Sequence, residues 1–378
     1  MAGKLSRVLV VDDSALMRTL IADQLADVAG IEVCGEASNG QQALQMLSRL
    51  QPDVITLDVQ MPGMDGLETL DRLLAIRPIP VIMVSAMTQL GGDITLDALE
   101  RGAFDYVAKP AGLAQAESVM RDDLVRKIRS VADTDVAKVL EIRRARAEAR
   151  RQRRAAAGIP KKTIAPPPKK VEPVTTNDWP CRCIAIGIST GGPPALTSLF
   201  ENLPAGLPPI VIVQHMPEQF TRAFAKRLNS ISQVEVKEAA SGDMLEQGHA
   251  YIAQGGKHLE IRRHTRTQTR LEVFDGEPVS GHRPSVDVMM RSAANVFGDA
   301  CLGVVMTGMG RDGSDGCKAI REAGGYVLGQ DEASSDIYGM NRVAFQEGNV
   351  DKQFDLQDAA QAIIREAKRL RSGLAAAR

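Results

Sequence analysis

Along residues 7–110, short apolar runs end repeatedly in a charged or hydroxyl residue, and stretches of helical spacing fill the gaps between them. The runs read RVLVV, IEVCGEA, DVITL, PVIMVSA and DYVAKP; segments such as LMRTLIADQLADV and GQQALQMLSRL lie between, with apolar residues recurring every three or four positions. An apolar run of about five residues suits a strand buried on both faces, and a helix after it returns the chain to begin the next strand in parallel. The alternation therefore predicts an α/β fold with a doubly wound parallel sheet. A second alternation begins near Trp179, where CRCIAIGIS, PPIVIVQHM, AYIAQ, HLEIRR, RLEVFDG, CLGVVMTGM and GYVLGQDE read as strands. The strands near Tyr251 to Phe274 are expected to be hairpin-like and the others to form a mostly parallel sheet.

A chain of 378 residues exceeds an ordinary single core, so two domains follow. The expected division is 1–125 for the first domain, 126–178 for a linker and 179–378 for the second domain. The linker holds seven arginines and one glutamate between Arg143 and Arg154, then the proline- and lysine-rich IPKKTIAPPPKKVEPVTTND. It reads as helical at first and extended after Ile159. No aromatic residues are interleaved with the arginines for base stacking, so the run reads as a solvated helix face and no specific nucleic-acid partner is expected. The net charge of -1 gives no overall attraction to nucleic acid or to an anionic membrane. The five cysteines are odd in number and scattered, and Cys181-x-Cys183 lacks the second half of a zinc site, so they read as reduced thiols. The N-terminal apolar run is too short for a signal peptide or a membrane span, and a cytoplasmic location is expected.

Asp12 and Asp13 close the first strand, Asp58 the third, Ser85 the fourth and Lys109 the fifth. Open parallel sheets place their sites at these carboxyl ends. Three converging carboxylates repel one another, and a hard divalent cation with oxygen ligands, Mg²⁺ first among them, offsets that charge. The Ser85 hydroxyl and the Lys109 ammonium reach the same rim and suit phosphoryl oxygens. Helix capping alone would explain Asp13 or Ser14, but not five polar residues on four strand ends. Through VVDDS, ITLDVQMPGMDG, MVSAMT and YVAKP, residues 6 to about 125 resemble a response-regulator receiver domain, which is flavodoxin-like. The resemblance implies that Asp58 accepts phosphate from a histidine kinase, that Asp12, Asp13 and Asp58 hold Mg²⁺, that Lys109 contacts the phosphoryl group and that Ser85 relays the change.

In the second half, GISTG at 187–191 has the Gly-x-Ser-x-Gly form that sets a serine on a tight strand-to-helix turn. A serine needs a base, and of the five histidines only His215 directly follows an apolar strand, PIVIVQ, on the same expected rim as Ser189. Asp312, in TGMGRDGSDG, follows another strand and is the leading carboxylate to orient the imidazole; Asp315 is the nearest rival, with Asp287 and Asp331 behind it. Amides of TGMG and the start of a helix near Gly192 are placed to face a developing oxyanion. The order Ser, His, Asp differs from the Ser, Asp, His of α/β-hydrolases, so the motif does not by itself establish that fold.

IGISTGGPPAL, VIVQHMPEQFT, HRPSVDVMM, VVMTGMGRDGSDG and LGQDEASSDIYGM resemble the catalytic domain of the chemotaxis protein-glutamate methylesterase family over roughly residues 180 to 370. The resemblance implies a Rossmann-like domain with a β-hairpin, in which Ser189, His215 and Asp312 form the triad. It also implies the Met309 amide as oxyanion donor, with Thr190 beside the nucleophile. Implied partners are methyl-accepting chemotaxis receptors as substrate, met from the cytosolic side of the membrane, and the histidine kinase of a chemosensory array. The implied chemistry is demethylation of γ-glutamyl methyl esters, deamidation of receptor glutamines and no cofactor for the ester step. Two features depart from the family: NRVA follows YGM where proline is usual, and the linker is longer. Two other readings stay open from the residues alone: GISTGG as a phosphate cradle of an effector-binding domain, and a DNA-binding regulator using the arginine run. The methionines, Met289 and Met290 among them, read as core filler, and LGQDEASSDIYGM as a groove lining in preference to a plain loop.

Overall fold

The computed structural model describes residues 5–85, 89–109, 114–132, 135–144, 148, 179 and 181–370. The chain divides into two compact units, Met1–Ile159 and Pro160–Arg378.

In the first unit, strands β1 (Ser6–Val11), β2 (Ile31–Ala37), β3 (Val54–Asp58), β4 (Val81–Ser85) and β5 (Asp105–Ala108) alternate with helices α1 (Ala15–Ala26), α2 (Gly40–Leu50), α3 (Gly66–Ile76), α4 (Gln89–Arg101) and α5 (Ala114–Ala132). The sheet order is β2-β1-β3-β4-β5 and every pairing is parallel. This is the flavodoxin-like order, whose direction of winding reverses between β1 and β3. Helices cover both faces, so Val8 to Val11 and Val81 to Val84 are buried without alternation. The expected boundary at residue 125 falls inside α5, because the burial of Met120, Leu124, Ile128 and Val131 runs on at helical spacing through it. Val136, Val139 and Leu140 are buried beyond it. The rest of the expected linker, residues 145–147 and 149–178 with most of the arginine run, lies outside the described residues.

The second unit holds a seven-stranded parallel sheet of order β14-β13-β12-β6-β7-β9-β8. Its strands are β6 (Cys183–Ile188), β7 (Ile210–Gln214), β8 (Glu235–Glu238), β9 (His249–Ile252), β12 (Cys301–Val305), β13 (Tyr326–Gln330) and β14 (Lys352–Phe354). Between them run α6 (Gly192–Phe200), α7 (Glu218–Ile231), α8 (Val286–Phe297), α9 (Ser314–Glu322), α10 (Met340–Gln346) and, last, α11 (Ala359–Arg369). Winding proceeds outward from β6 in one direction through β7 and later in the other through β12, which sets the switch point between β6 and β12. The hairpin is narrower than the sequence suggested. Among the described strands only β10 (His258–Arg263) and β11 (Thr269–Phe274) pair antiparallel, whereas β9, which holds Tyr251, joins the main sheet between β7 and β8. Tyr251 is buried and β9 is apolar on both sides, the mark of a central parallel strand. Met289 and Met290 are fully buried with Val211, Val286, Ile320 and Val327.

Candidate active site

Each sheet brings its expected site residues to its switch point. In the first unit Asp12 follows β1, Asp58 ends β3, Ser85 ends β4 and Lys109 follows β5. Parallel pairing of neighbouring strands makes this convergence automatic, and the Lys109 N–H extends it by donating to Ser85 O at 2.8 Å. Lys109 Nζ lies 2.8 Å from Asp12 Oδ2 and 2.8 Å from Asp58 Oδ2. The Ser14 N–H fixes Asp12 by donating to Oδ1 at 2.9 Å, and Ser14 itself caps α1. Burial pushes the Asp58 carboxyl above its ordinary pKa, with the Lys109 hydrogen bond and charge opposing. Lys109 is held above its ordinary value: burial works against its charge, but hydrogen bonds to Asp12 and Asp58 outweigh that. Asp12 and Asp58 are buried and Asp13 is exposed, and ligand oxygens of the three lie within 4.8 Å of one another. Opposite ligands of an octahedral Mg²⁺ sit about 4 Å apart, so this donor set fits a hard divalent ion with water filling the open side.

In the second unit, β6 delivers Ser189 and β7 delivers His215 one residue past their last strand positions. The turn is closed by backbone bonds: Ser189 N–H to Thr307 O at 3.0 Å, Gly192 N–H to Ser189 O at 2.8 Å and His215 N–H to Ile188 O at 3.1 Å. Gln214 Nε2 adds a bond to Ser189 O at 3.0 Å. His215 Nε2 lies 2.8 Å from Asp312 Oδ2, with both side chains buried. A carboxylate only accepts, so Nε2 carries the proton and Nδ1 presents its lone pair. That Nδ1 is buried and, among the described residues, without a hydrogen-bond partner. Ser189 Oγ makes no hydrogen bond among the described residues, so a proton path from Ser189 to Nδ1 is one that bound substrate would complete.

Asp312 sits where it is held from several sides. Its carboxylate accepts from Ser285 Oγ at 2.7 Å, from Val286 N–H at 2.8 Å and from Asp287 N–H at 3.0 Å, all at the start of α8. Burial alone would raise its pKa, but the His215 hydrogen bond and charge, with these backbone donors, hold it well below the usual carboxylate range. The rivals lie elsewhere. Asp315 is half-buried and pairs with Arg291 and Arg311, and Asp331 accepts from the Ser334 N–H in a loop. Asp287 stands directly behind Asp312, fully buried, and accepts from the N–H groups of Gly313 at 2.9 Å and Gly316 at 2.7 Å.

The TGMG segment packs onto the serine. A Cβ on Gly308 would lie 2.7 Å from Ser189 Cβ, so only glycine allows this approach. It brings the next residue, Met309, to the same rim, and among the described residues the Met309 N–H donates to no acceptor. Thr190 is buried beside Ser189, and its carbonyl lies 3.0 Å from Thr307 Oγ1. The segment after β13 closes the other side: a Cβ on Gly191 would lie 2.6 Å from Asp336 Oδ2. A buried carboxylate against GISTGG repels a phosphate, which disfavours the cradle reading of that loop. Asn341, directly after YGM, donates from Nδ2 to Gln330 O and Ser335 Oγ, each at 2.7 Å, an anchoring that a proline there could not provide.

Three contributors were not legible in the sequence. The His282 ring stacks on His215 with centroids 3.7 Å apart and planes 6° from parallel. Ser285 gives Asp312 its hydroxyl bond, and His258 Nδ1 accepts from the Ser285 N–H at 3.3 Å. Both histidines come from outside the strand ends of the main sheet, His282 from the turn before α8 and His258 from the hairpin. A histidine two residues before a cap-like Pro-Ser was the one available signal.

The CheB methylesterase family profile matches residues 184–363, and the response regulator receiver domain profile matches residues 8–121. Among similar curated proteins, protein-glutamate methylesterase/protein-glutamine glutaminase 1 of Caulobacter vibrioides is 44% identical over 359 residues, 95% of this chain and 97% of its own. The protein-glutamate methylesterase/protein-glutamine glutaminase of Pyrococcus abyssi is 42% identical over 380 residues, covering 99% of this chain and 96% of its own. That of Salmonella typhi is 40% identical over 359 residues, 95% and 96% respectively. With two α/β units and matches that span almost its full length, the chain belongs to the CheB methylesterase family, as a response regulator with a receiver domain ahead of its methylesterase domain.

Proposed function

We propose that the chain is a phosphorylation-activated protein-glutamate methylesterase and protein-glutamine glutaminase. It acts in the cytoplasm on chemoreceptors, whose methyl esters it removes to reset adaptation. The observation that carries this reading is the His215–Asp312 pair at 2.8 Å, with an unpartnered Nδ1, beside a serine turn and an unbonded amide. Ser189 Oγ attacks the γ-carbonyl carbon of the glutamyl ester and its proton passes to His215 Nδ1. Asp312 holds the ring and balances its charge. The carbonyl oxygen, now negative, takes the Met309 N–H, and Thr190 lines the same wall. Collapse expels methanol, which leaves with the proton from His215, and a glutamyl ester on Ser189 remains. Water deprotonated by His215 then frees Ser189 and leaves a glutamate. A glutamine substrate follows the same path with ammonia leaving.

In this reading the first unit, through the end of α5, receives the signal, the segment up to residue 178 connects and residues 179–378 catalyse. Asp58 accepts a phosphoryl group from a histidine kinase; Asp12, Asp13 and Asp58 hold Mg²⁺, which offsets charge during transfer. Lys109 then leaves its two carboxylates for the phosphoryl oxygens and Ser85 follows, shifting the receiver toward a second conformation that raises the esterase rate. Among the described residues no helix is long and apolar enough to cross a membrane.

The experiment is methanol release from methylated receptor membranes, with a phosphodonor and Mg²⁺, by the wild type and by Ser189→Ala. Release by the wild type and a loss of roughly 10⁴-fold or more in the variant is the expected result. Equal release would remove Ser189 from the mechanism.

A further inference from the structure

A cavity of about 550 Å³ opens between α7, β8, the loop after β9 and the end of β11. Its walls carry Arg222, Lys226, Lys237 and Lys257 against a single acid, Glu238. Lys237 is paired with Asp243 at 2.8 Å, and Glu238 takes a bond from Thr221 Oγ1 at 2.5 Å. Arg222, Lys226 and Lys257 form no ion pair among the described residues. Arg222 and Lys226 lie four residues apart on the exposed side of α7, a spacing at which like charges destabilise a helix. Lys257 faces the same space from another element, so the cations oppose one another unless an anion lies among them.

The cavity adjoins the candidate active site through one loop. Gly255, between the lining residues Gln254 and Lys257, packs so tightly on Met216 and Glu218 that a Cβ would lie 2.3 Å from Glu218 N. Those residues directly follow His215. On the loop's other side the Gly256 N–H donates to Arg283 O at 3.1 Å, one residue past His282. The loop that walls the cavity is thus clamped between the two stacked histidines' own segments.

We propose that this cavity binds glutamate carboxylates of the protein substrate, next to the ester being hydrolysed. The inference rests on the methylesterase reading and deepens it. Each turnover turns a neutral ester or amide into a carboxylate, so a helix presenting several such sites becomes acidic around those that remain. A basic cavity one loop away from His215 and His282 grips such a helix through the residues already converted. Three unpaired cations at a rim also act through long-range attraction, so binding should weaken with salt.

The test compares the full-length wild type with Arg222→Glu/Lys226→Glu on two substrates, phosphodonor and Mg²⁺ present. One is methylated receptor membranes; the other is the γ-methyl ester of N-acetylglutamate α-amide, which is small and uncharged. The expected result is a rise of about tenfold or more in KM for receptor, with the small ester turned over within twofold of wild type. Lys226→Arg, which keeps the charge, should leave the receptor KM unchanged. An unchanged receptor KM in the double variant, or equal losses on both substrates, overturns the proposal. So does binding of wild type, but not the variant, to receptor-free phosphatidylserine vesicles, which would assign the cavity to lipid. Ser189→Ala on the small ester tests the methylesterase reading separately: activity that survives there sinks that reading whatever the cavity does.

Discussion

The carboxylates at the two switch points are treated in opposite ways. Asp58 receives, among the described residues, only Lys109 and a Gln60 N–H at a long 3.4 Å, so most of its lone pairs stay open. Asp312 receives His215, the Ser285 hydroxyl and the N–H groups of Val286 and Asp287, and has little capacity left for any ligand. Burial pushes both toward protonation; it prevails at Asp58, whose pKa is raised, and is overcome at Asp312, whose pKa falls. An acid with open lone pairs is available to take a cation or a phosphoryl group. A saturated one serves to orient its neighbour and stay charged.

If that contrast is right, removing charge should have unlike consequences in the two places. Asp312→Asn should lower kcat for methanol release by about 10⁴-fold, since an amide NH₂ facing Nε2 favours the wrong imidazole tautomer. It should also destabilise the second unit, because an amide nitrogen cannot accept the bonds it replaces; a urea titration reads that loss as a lower midpoint. A loss under tenfold would make Asp312 structural only. Asp58→Asn breaks the comparison from the other side. Its expected effect is a rate ratio, with phosphodonor over without, that falls to one, together with loss of labelled phosphoryl uptake from acetyl phosphate. Retained stimulation would move the acceptor away from Asp58.

How much of this was legible in the sequence follows from the same contrast. Asp12, Asp58, Ser85 and Lys109 stand at strand ends, and parallel pairing alone brings strand ends together, so their convergence is readable from the strands. The placement of Ser189 and His215 on one rim is readable for the same reason. Asp312 lies seven residues past the end of β12 at Val305, and its place depends on α8 and a glycine-rich turn that only TGMGRDGSDG hinted at. His282, Ser285 and His258 reach the site through the packing of a hairpin and a turn against the sheet, and no periodicity encodes that meeting. The sequence predicts too wide a hairpin because β9 is short and followed by turn residues, and what makes β9 central is burial on both faces, which four residues cannot advertise.

A smaller effect is expected where His282 covers His215. Stacked rings contribute about 0.5–1.5 kcal/mol beyond the area they bury, so His282→Ala should lower kcat by roughly 2- to 10-fold, with KM within twofold. His282→Phe keeps the stacking face and should recover most of the loss. If Phe and Ala are equally impaired, His282 contributes something other than a ring face, and the turn at 279–282 becomes the place to look.

The smallest effect concerns Asp287, which tests whether saturation or burial decides the charge of an acid here. Asp287 is fully buried and accepts two backbone N–H bonds, yet burial first, and then the charge of Asp312, push its pKa up to about 6. The folded state therefore keeps this proton to a higher pH than the unfolded chain, whose value is about 3.9. Between those two values the folded state binds more protons, so Asp287's contribution to stability is full below about 4, declines as pH rises and is gone above about 6. Asp287→Asn retains a carbonyl oxygen for Gly313 and Gly316 and does not titrate, so it should flatten this slope. Urea midpoints at pH 4.5 and 7.5 decide it: the wild type should lose more stability between them than the variant does. Equal changes would mean that Asp287 is ionised throughout, and that the bonds from Gly313 and Gly316 suffice to hold a second buried charge beside Asp312.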